Sequence, residues 1–176
     1  PAAFISRARK EGARDFGACM SPHTAFLVLQ GIETLGLRMD RHVETTVKIV
    51  DYLNNHDLVE KVIYPTLPSH PDHNLASKLL GKGCGAVFTF ELKGGREAGK
   101  AFIENLSIFS HLANVGDAKS LVIHPASTTH HRMDEDSLKK AGISEGTLRL
   151  SIGLEDREDL INDLELGFGA VKKISK

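Results

Sequence analysis

Residues Thr147 to Ile152 constrain this chain more than any other stretch. Leu148, Leu150 and Ile152 alternate with Thr147, Arg149 and Ser151, the two-residue period of a β-strand with one apolar and one polar face. Asp156 follows at the position of a helix cap, and Leu160, Ile161, Leu164, Phe168 and Val171 then recur at helical spacing. Lys172, Lys173 and Lys176 close that helix where the backbone dipole favours cations. A half-apolar strand requires neighbouring strands and a cover of helices.

The rest of the chain supplies both. Residues 1 to 20 read as a lead-in with a short helix. Ser21-Pro22 starts a helix, a serine cap followed by proline at the first helical position. Ala25, Phe26, Leu29 and Ile32 continue it, and Met39, Val43, Val47, Val50 and Leu53 carry the pattern on to Asn54-Asn55, with Gly36 placed to bend it. Strands are predicted at Val59–Tyr64, stopped by Pro65, and at Ala86–Leu92, Ile108–Leu112 and Leu121–His124. Short helices are predicted at Leu75–Leu80 and at Glu97–Leu106, the latter with Ala98, Ala101, Phe102 and Leu106 on its apolar side. The expected fold is an α/β or α+β sandwich, a small and mainly antiparallel sheet covered by helices. Residues 1–55 form the lead-in and long helix, and residues 56–176 the domain that carries the sheet.

The formal net charge of −1 argues against a nucleic-acid partner, which needs a basic excess. No apolar run approaches the roughly 18 residues of a membrane span, and the charged start of the chain is unlike a secretory signal. A cytoplasmic setting is therefore expected. The two cysteines, Cys19 and Cys84, could form one disulfide on paper, but two free thiols in a reducing compartment fit a core of this size better.

Several groups could carry chemistry. There are nine histidines, including His70 with His73 and His130 beside His131. Metal binding needs three or four converging ligands, and solvated loop histidines are the simpler reading, so no metal is expected. The glycines of Gly81-Lys82-Gly83-Cys84-Gly85 follow a helix and precede a strand, the reverse of a phosphate loop, so they read as a turn. Cys84 reads as a buried cysteine at a strand edge. Arg149 sits mid-strand on the polar face. It suits either bidentate carboxylate recognition or a structural salt bridge to Glu155 or Asp156. The segments Asn114–Leu121 and His124–His130 suit either tight turns or ligand loops.

Three segments, taken together, carry a resemblance. Arg14 to Pro22 with its continuation to Leu35, the run HLANVGDAKSLVIHPASTTH (His111–His130), and GTLRLSIGLEDREDLINDL (Gly146–Leu164) resemble the C-terminal domain of the cystathionine synthase, lyase and sulfhydrylase group of fold type I pyridoxal-phosphate enzymes. The resemblance runs over essentially the whole chain, and the NVGDAKS loop points to the O-acetylhomoserine sulfhydrylase branch. It implies a γ-replacement in which pyridoxal 5'-phosphate serves as electron sink, O-acetyl-L-homoserine loses acetate, and sulfide or methanethiol takes its place. It also implies a homotetramer. By resemblance, Arg149 binds the substrate α-carboxylate, Ser120 (through its backbone) and Thr129 flank it, and Lys119 precedes that serine.

The family carries its Schiff-base lysine in a Ser-x-Thr-Lys segment, and no such segment occurs here. The chain is therefore expected to be a fragment with no catalytic lysine, no cofactor of its own and no activity alone. The alternatives are a cystathionine γ-synthase or γ-lyase of the same family, or a free-standing domain that binds an amino acid or a partner.

Overall fold

The computed structural model describes residues 2–130 and 133–174. The chain divides into two compact units, residues 1–38 and 39–176. In the first unit α1 (Ala2–Arg7) runs into a π-helix (Ala8–Asp15), and α2 spans Pro22–Glu33. The Ser21-Pro22 signal works as read: Ser21 Oγ accepts the N–H of Thr24 at 3.1 Å, and Pro22 stands where a free N–H would have no partner. The tandem helix breaks at Thr34 (φ −103°, ψ 4°) and not at Gly36, which stays inside α3 (Leu35–Asn54). The division between the units falls within α3, and Ile49, Val50 and Leu53 are buried in the core of the second unit.

The second unit holds β1 (Val59–Ile63), α4 (His73–Leu79), β2 (Val87–Leu92), α5 (Gly95–Glu104), β3 (Ser110–His111) and β4 (Leu121–Ile123). A 3-10 turn (Pro125–Ser127), α6 (Glu135–Lys140), β5 (Thr147–Ser151) and α7 (Arg157–Ile174) complete it. The sheet has five strands in the order β1-β2-β5-β4-β3. Every neighbouring pair is antiparallel except β3 with β4. This is the predicted mixed α/β fold with a mainly antiparallel sheet.

Alternation along the strands decides which face is dry. Phe88 and Phe90 of β2 lie opposite Leu150 and Leu148 of β5, and Val122 of β4 lies opposite Leu150. These side chains share one core with Ile49, Val50 and Leu53 of α3, Phe102 of α5, and Leu160, Leu164 and Phe168 of α7. Phe102 sits edge-on to Phe90 (5.8 Å between centroids) and to Phe168 (4.9 Å), tying sheet, α5 and α7 together. α7 is capped as expected: Asp156 Oδ1 accepts the N–H of Glu158 at 2.8 Å. Asp163, buried in α7, accepts the N–H groups of Ser107 (2.7 Å), Ile108 (2.9 Å) and Phe109 (3.1 Å). That carboxylate satisfies three donors where the chain leaves α5 for β3.

Other expectations change in detail. α5 starts at Gly95 and not Glu97, and its buried face is Ala98, Gly99, Phe102 and Ile103. Leu106 lies beyond the helix end, and Ile103 takes its place one turn earlier. β3 is only two residues long, because a neighbouring strand of three residues, β4, offers little ladder to pair with. Thr147 and Ser151, expected on an open polar face, are buried. Cys19 and Cys84 are free thiols, and Cys84 is half-buried in the turn before β2. Lys176, expected at the end of the last helix, lies outside the described residues.

No helix among the described residues is long and apolar enough to cross a membrane.

Candidate functional site

The face of the sheet opposite the core carries the candidate site. Arg149 stands in the middle of the central strand β5, paired with Thr89 on β2 and with Ile123 on β4. Its backbone is held on both sides, so its side chain projects from a fixed base. It is half-buried. Nη2 donates to the carbonyl of Asn114 at 3.4 Å, a long bond that turns the guanidinium toward the loop ending at Ser120. Among the described residues Arg149 makes no ion pair. The two carboxylates that could have formed a scaffold bridge with it are engaged elsewhere. Glu155 binds Ser120, and Asp156 caps α7 and lies 4.0 Å from Arg41. A guanidinium on a rigid strand with most of its donors unclaimed is suited to take a carboxylate in two parallel bonds.

The loop from Asn114 to Ser120 is shaped by its own side chains. Asp117 Oδ1 accepts the N–H of Lys119 at 3.0 Å, and Asn114 Nδ2 reaches Asp117 Oδ2 at 3.4 Å. Its end is locked onto the chain after β5. Ala118 accepts the N–H of Leu154 at 2.9 Å, and Ser120 Oγ accepts the N–H of Gly153 at 2.8 Å. Glu155 takes the N–H of Ser120 at 2.7 Å and its hydroxyl at 2.8 Å. Gly153 is required here: a Cβ at this position would lie 2.5 Å from the Ala118 carbonyl oxygen and 2.5 Å from the Ser120 nitrogen. The Ser120 carbonyl accepts the N–H of Ser110 at 3.0 Å, so every polar group of this buried residue has a partner.

Thr129 and Lys119 are placed differently. Lys119 is exposed on the loop, one residue before Ser120. Thr129 is exposed in the turn that follows β4 and the 3-10 segment, with its Oγ1 2.8 Å from His130 Nδ1. Strand β4 links the two regions, starting after Ser120 and passing Arg149 at Ile123. Ser120 directly precedes β4 and Arg149 pairs with its last residue, Ile123, whereas Thr129 lies beyond the 3-10 segment, in the turn that follows it. Among the described residues no three His, Cys, Asp or Glu side chains converge as a metal site, and His131 lies outside them.

Sequence reading passed over three residues. Glu155 entered only as a possible partner of Arg149, and Asn114 only as part of a loop. His124 was one histidine of nine, yet it is fully buried behind β4. Its Nε2 donates to the carbonyl of Glu145 at 2.7 Å, which leaves Nδ1 to accept from Ser127 Oγ at 2.9 Å. A Cβ on Gly99 of α5 would lie 2.5 Å from His124 Nε2, so only glycine admits the ring. Burial lowers the pKa of His124, outweighing the Glu145 carbonyl bond, with Arg96 lowering it further. Burial also lowers that of His56, which stacks on Phe168 at 3.6 Å, despite Glu165 nearby.

A histidine whose folded-state pKa lies below its unfolded value binds fewer protons when folded. Its contribution to stability is therefore intact above the ordinary value of 6.5 and is lost as the pH falls below it. Urea unfolding midpoints are expected to decline from about pH 7.5 to about pH 5, and to decline less steeply in His124→Asn. Equal slopes in the two proteins would rule out a proton-linked penalty at His124.

Comparison with known proteins gives a consistent result. Residues 4–169 match the family model described as Cys/Met metabolism PLP-dependent enzyme. O-acetyl-L-homoserine sulfhydrylase 1 of Thermus thermophilus is 50% identical over 163 residues, covering 93% of this chain and 39% of that protein. The O-acetyl-L-homoserine sulfhydrylase of Corynebacterium glutamicum is 46% identical over 96% of this chain and 39% of its own length. An L-methionine gamma-lyase of Pseudomonas deceptionensis is also 46% identical, over 96% of this chain and 42% of its own. A crystal structure assigned to an O-acetylhomoserine (thiol)-lyase of Campylobacter jejuni, which carries a pyridoxyl-lysine phosphate, superposes with a TM-score of 0.85. Its sequence is 42% identical, over 95% of this chain and 40% of that one. The chain thus spans about two-fifths of the length of the relatives it matches.

Proposed function

The chain belongs to the Cys/Met metabolism PLP-dependent enzyme family, and on that premise we propose that it is the substrate-side portion of a γ-replacement enzyme. The proposed reaction converts O-acetyl-L-homoserine and sulfide to homocysteine and acetate, or uses methanethiol to give methionine. The observation that carries this reading is Arg149, a cation fixed at the centre of the sheet without an acidic partner among the described residues. The identity of sulfhydrylases across nearly the whole chain supports the choice of reaction.

Within this reading the guanidinium of Arg149 donates two parallel N–H bonds to the α-carboxylate and so sets the orientation of the amino acid. Ser120 and Thr129 flank that carboxylate, and Lys119 adds an exposed positive charge on the loop beside it. The Ser120 N–H and hydroxyl are both held by Glu155, so Ser120 bounds the carboxylate by its backbone position, and the bonds to the ligand come from Arg149. Pyridoxal phosphate provides the electron sink in this family's chemistry. The residues of this chain do not fit it as a holder. Every lysine whose side chain the structure describes is exposed, and the glycines at 81–85 lead into a strand, not a helix N-terminus that could cradle a phosphate. The complete protein is proposed to hold the cofactor in its remaining portion, as a cytoplasmic homotetramer.

The full-length protein, given O-acetyl-L-homoserine and sulfide, is expected to release homocysteine and acetate in equal amounts, measured by chromatography. A γ-lyase is the second reading, favoured by the 46% identity to an L-methionine gamma-lyase. It would instead cleave methionine with water to methanethiol, a keto acid and ammonia. Binding of the amino acid without turnover of either kind would leave only an amino-acid-binding protein.

A further inference from the structure

We propose that Glu155 is a positioning residue for the carboxylate site, acting through Ser120; this rests on the reading of Arg149 given above. The motivating feature is a closed ring of hydrogen bonds between two segments far apart in sequence. Glu155 takes both the N–H and the hydroxyl of Ser120, at 2.7 and 2.8 Å, and Ser120 Oγ takes the N–H of Gly153 at 2.8 Å. The Ala118 carbonyl, two residues earlier, closes the arrangement by accepting the N–H of Leu154 at 2.9 Å.

The ring joins the two parts of the site. Gly153 and Glu155 follow directly on β5, the strand that bears Arg149. Ala118 and Ser120 end the loop whose first residue, Asn114, meets the Arg149 guanidinium. The loop therefore has two attachments to β5. One is the long 3.4 Å bond from Arg149 to Asn114, which is weak. The other is the carboxylate clamp, whose bonds are short and charge-assisted. The clamp sets where the loop stands beside Arg149, and a carboxylate ligand must fit between them.

Glu155 touches neither Arg149 nor, in this reading, the substrate. Its effect passes through the serine. A glutamine at 155 keeps the size and one acceptor oxygen, but it turns an amide N–H₂ toward donors and removes the charge. A serine-to-alanine change at 120 removes the hydroxyl end of the same ring. The two changes should therefore not act independently.

The test uses the full-length holoenzyme and L-homoserine, which keeps the α-carboxylate and lacks the acetyl leaving group. Isothermal titration calorimetry gives its Kd, and thermal unfolding and cofactor content are recorded on the same samples. Glu155→Gln is expected to raise the Kd about tenfold, the scale of one lost charge-assisted bond, at unchanged cofactor content. Ser120→Ala is expected to raise it by a similar factor, and the double variant by little more than either alone. An unchanged Kd in Glu155→Gln, with only a lower melting temperature, would reduce Glu155 to a scaffold role and overturn the proposal. Multiplying effects in the double variant would overturn it as well. If Arg149→Lys weakens binding and Glu155→Gln does not, the positioning role fails and the arginine reading stands; if neither does, both fail.

Discussion

Replacing Arg149 by lysine in the full-length protein is expected to raise the KM for O-acetyl-L-homoserine sharply while leaving cofactor content and melting temperature close to those of the unmodified protein. The strand fixes the base of this side chain between Thr89 and Ile123. A guanidinium there can offer a carboxylate two parallel bonds, and an ammonium offers one point charge without the fork. Losing one charge-assisted bond in a half-buried site costs about 1.5–3 kcal/mol, or roughly ten- to a hundredfold in kcat/KM. A purely structural arginine would behave in the opposite way, with stability falling and kinetics preserved. Among the described residues no carboxylate pairs with Arg149, which leaves that outcome without a partner to explain it. Kinetics and calorimetry on one preparation separate the two outcomes, and normal kinetics with a clear loss of stability would remove Arg149 from the site.

The largest effect on stability is expected at Asp163. Its carboxylate accepts three backbone N–H groups from residues 107–109 while almost fully buried, at 2% exposure. Asp163→Ala leaves those donors without an acceptor and opens a space beneath them. The combined cost should be about 3 kcal/mol, lowering the melting temperature by roughly 6–12 °C. Asp163→Asn keeps one acceptor oxygen and should cost about half as much. Urea denaturation followed by circular dichroism measures both, and a loss below about 1 kcal/mol for alanine would mean that water replaces the carboxylate.

Local signals made much of the fold legible. The alternation at Thr147–Ile152, the Asp156 cap and the Ser21-Pro22 start each depend on residues within one or two turns of one another, and each holds in the structure. The single short strand β3 and the buried face of α5 were less legible. Their limits are set by what packs against them, and α5 is chosen by Phe168 and the His124 ring, neither of which is near it in sequence. For the site, Arg149 stood out by its place on the strand, and the resemblance added Ser120, Thr129 and Lys119. Glu155 had no such mark. Its partner lies 35 residues away, and nothing in a single sequence relates the two before the sheet brings them together.

The order of strands has a consequence for how this chain is assembled. The central strand β5 is the last to be made, and it alone joins the β1–β2 ribbon to the β4–β3 ribbon. Until residues 147–151 are available, β2 and β4 each lack the neighbour that β5 supplies. Their pairing spans a long stretch of chain, the kind of closure that slows folding and leaves edges open to other molecules. Arrival of the strand that bears Arg149 is thus the event that joins two strand pairs into one sheet, so the residue on which recognition is proposed to depend sits on the strand that completes the fold.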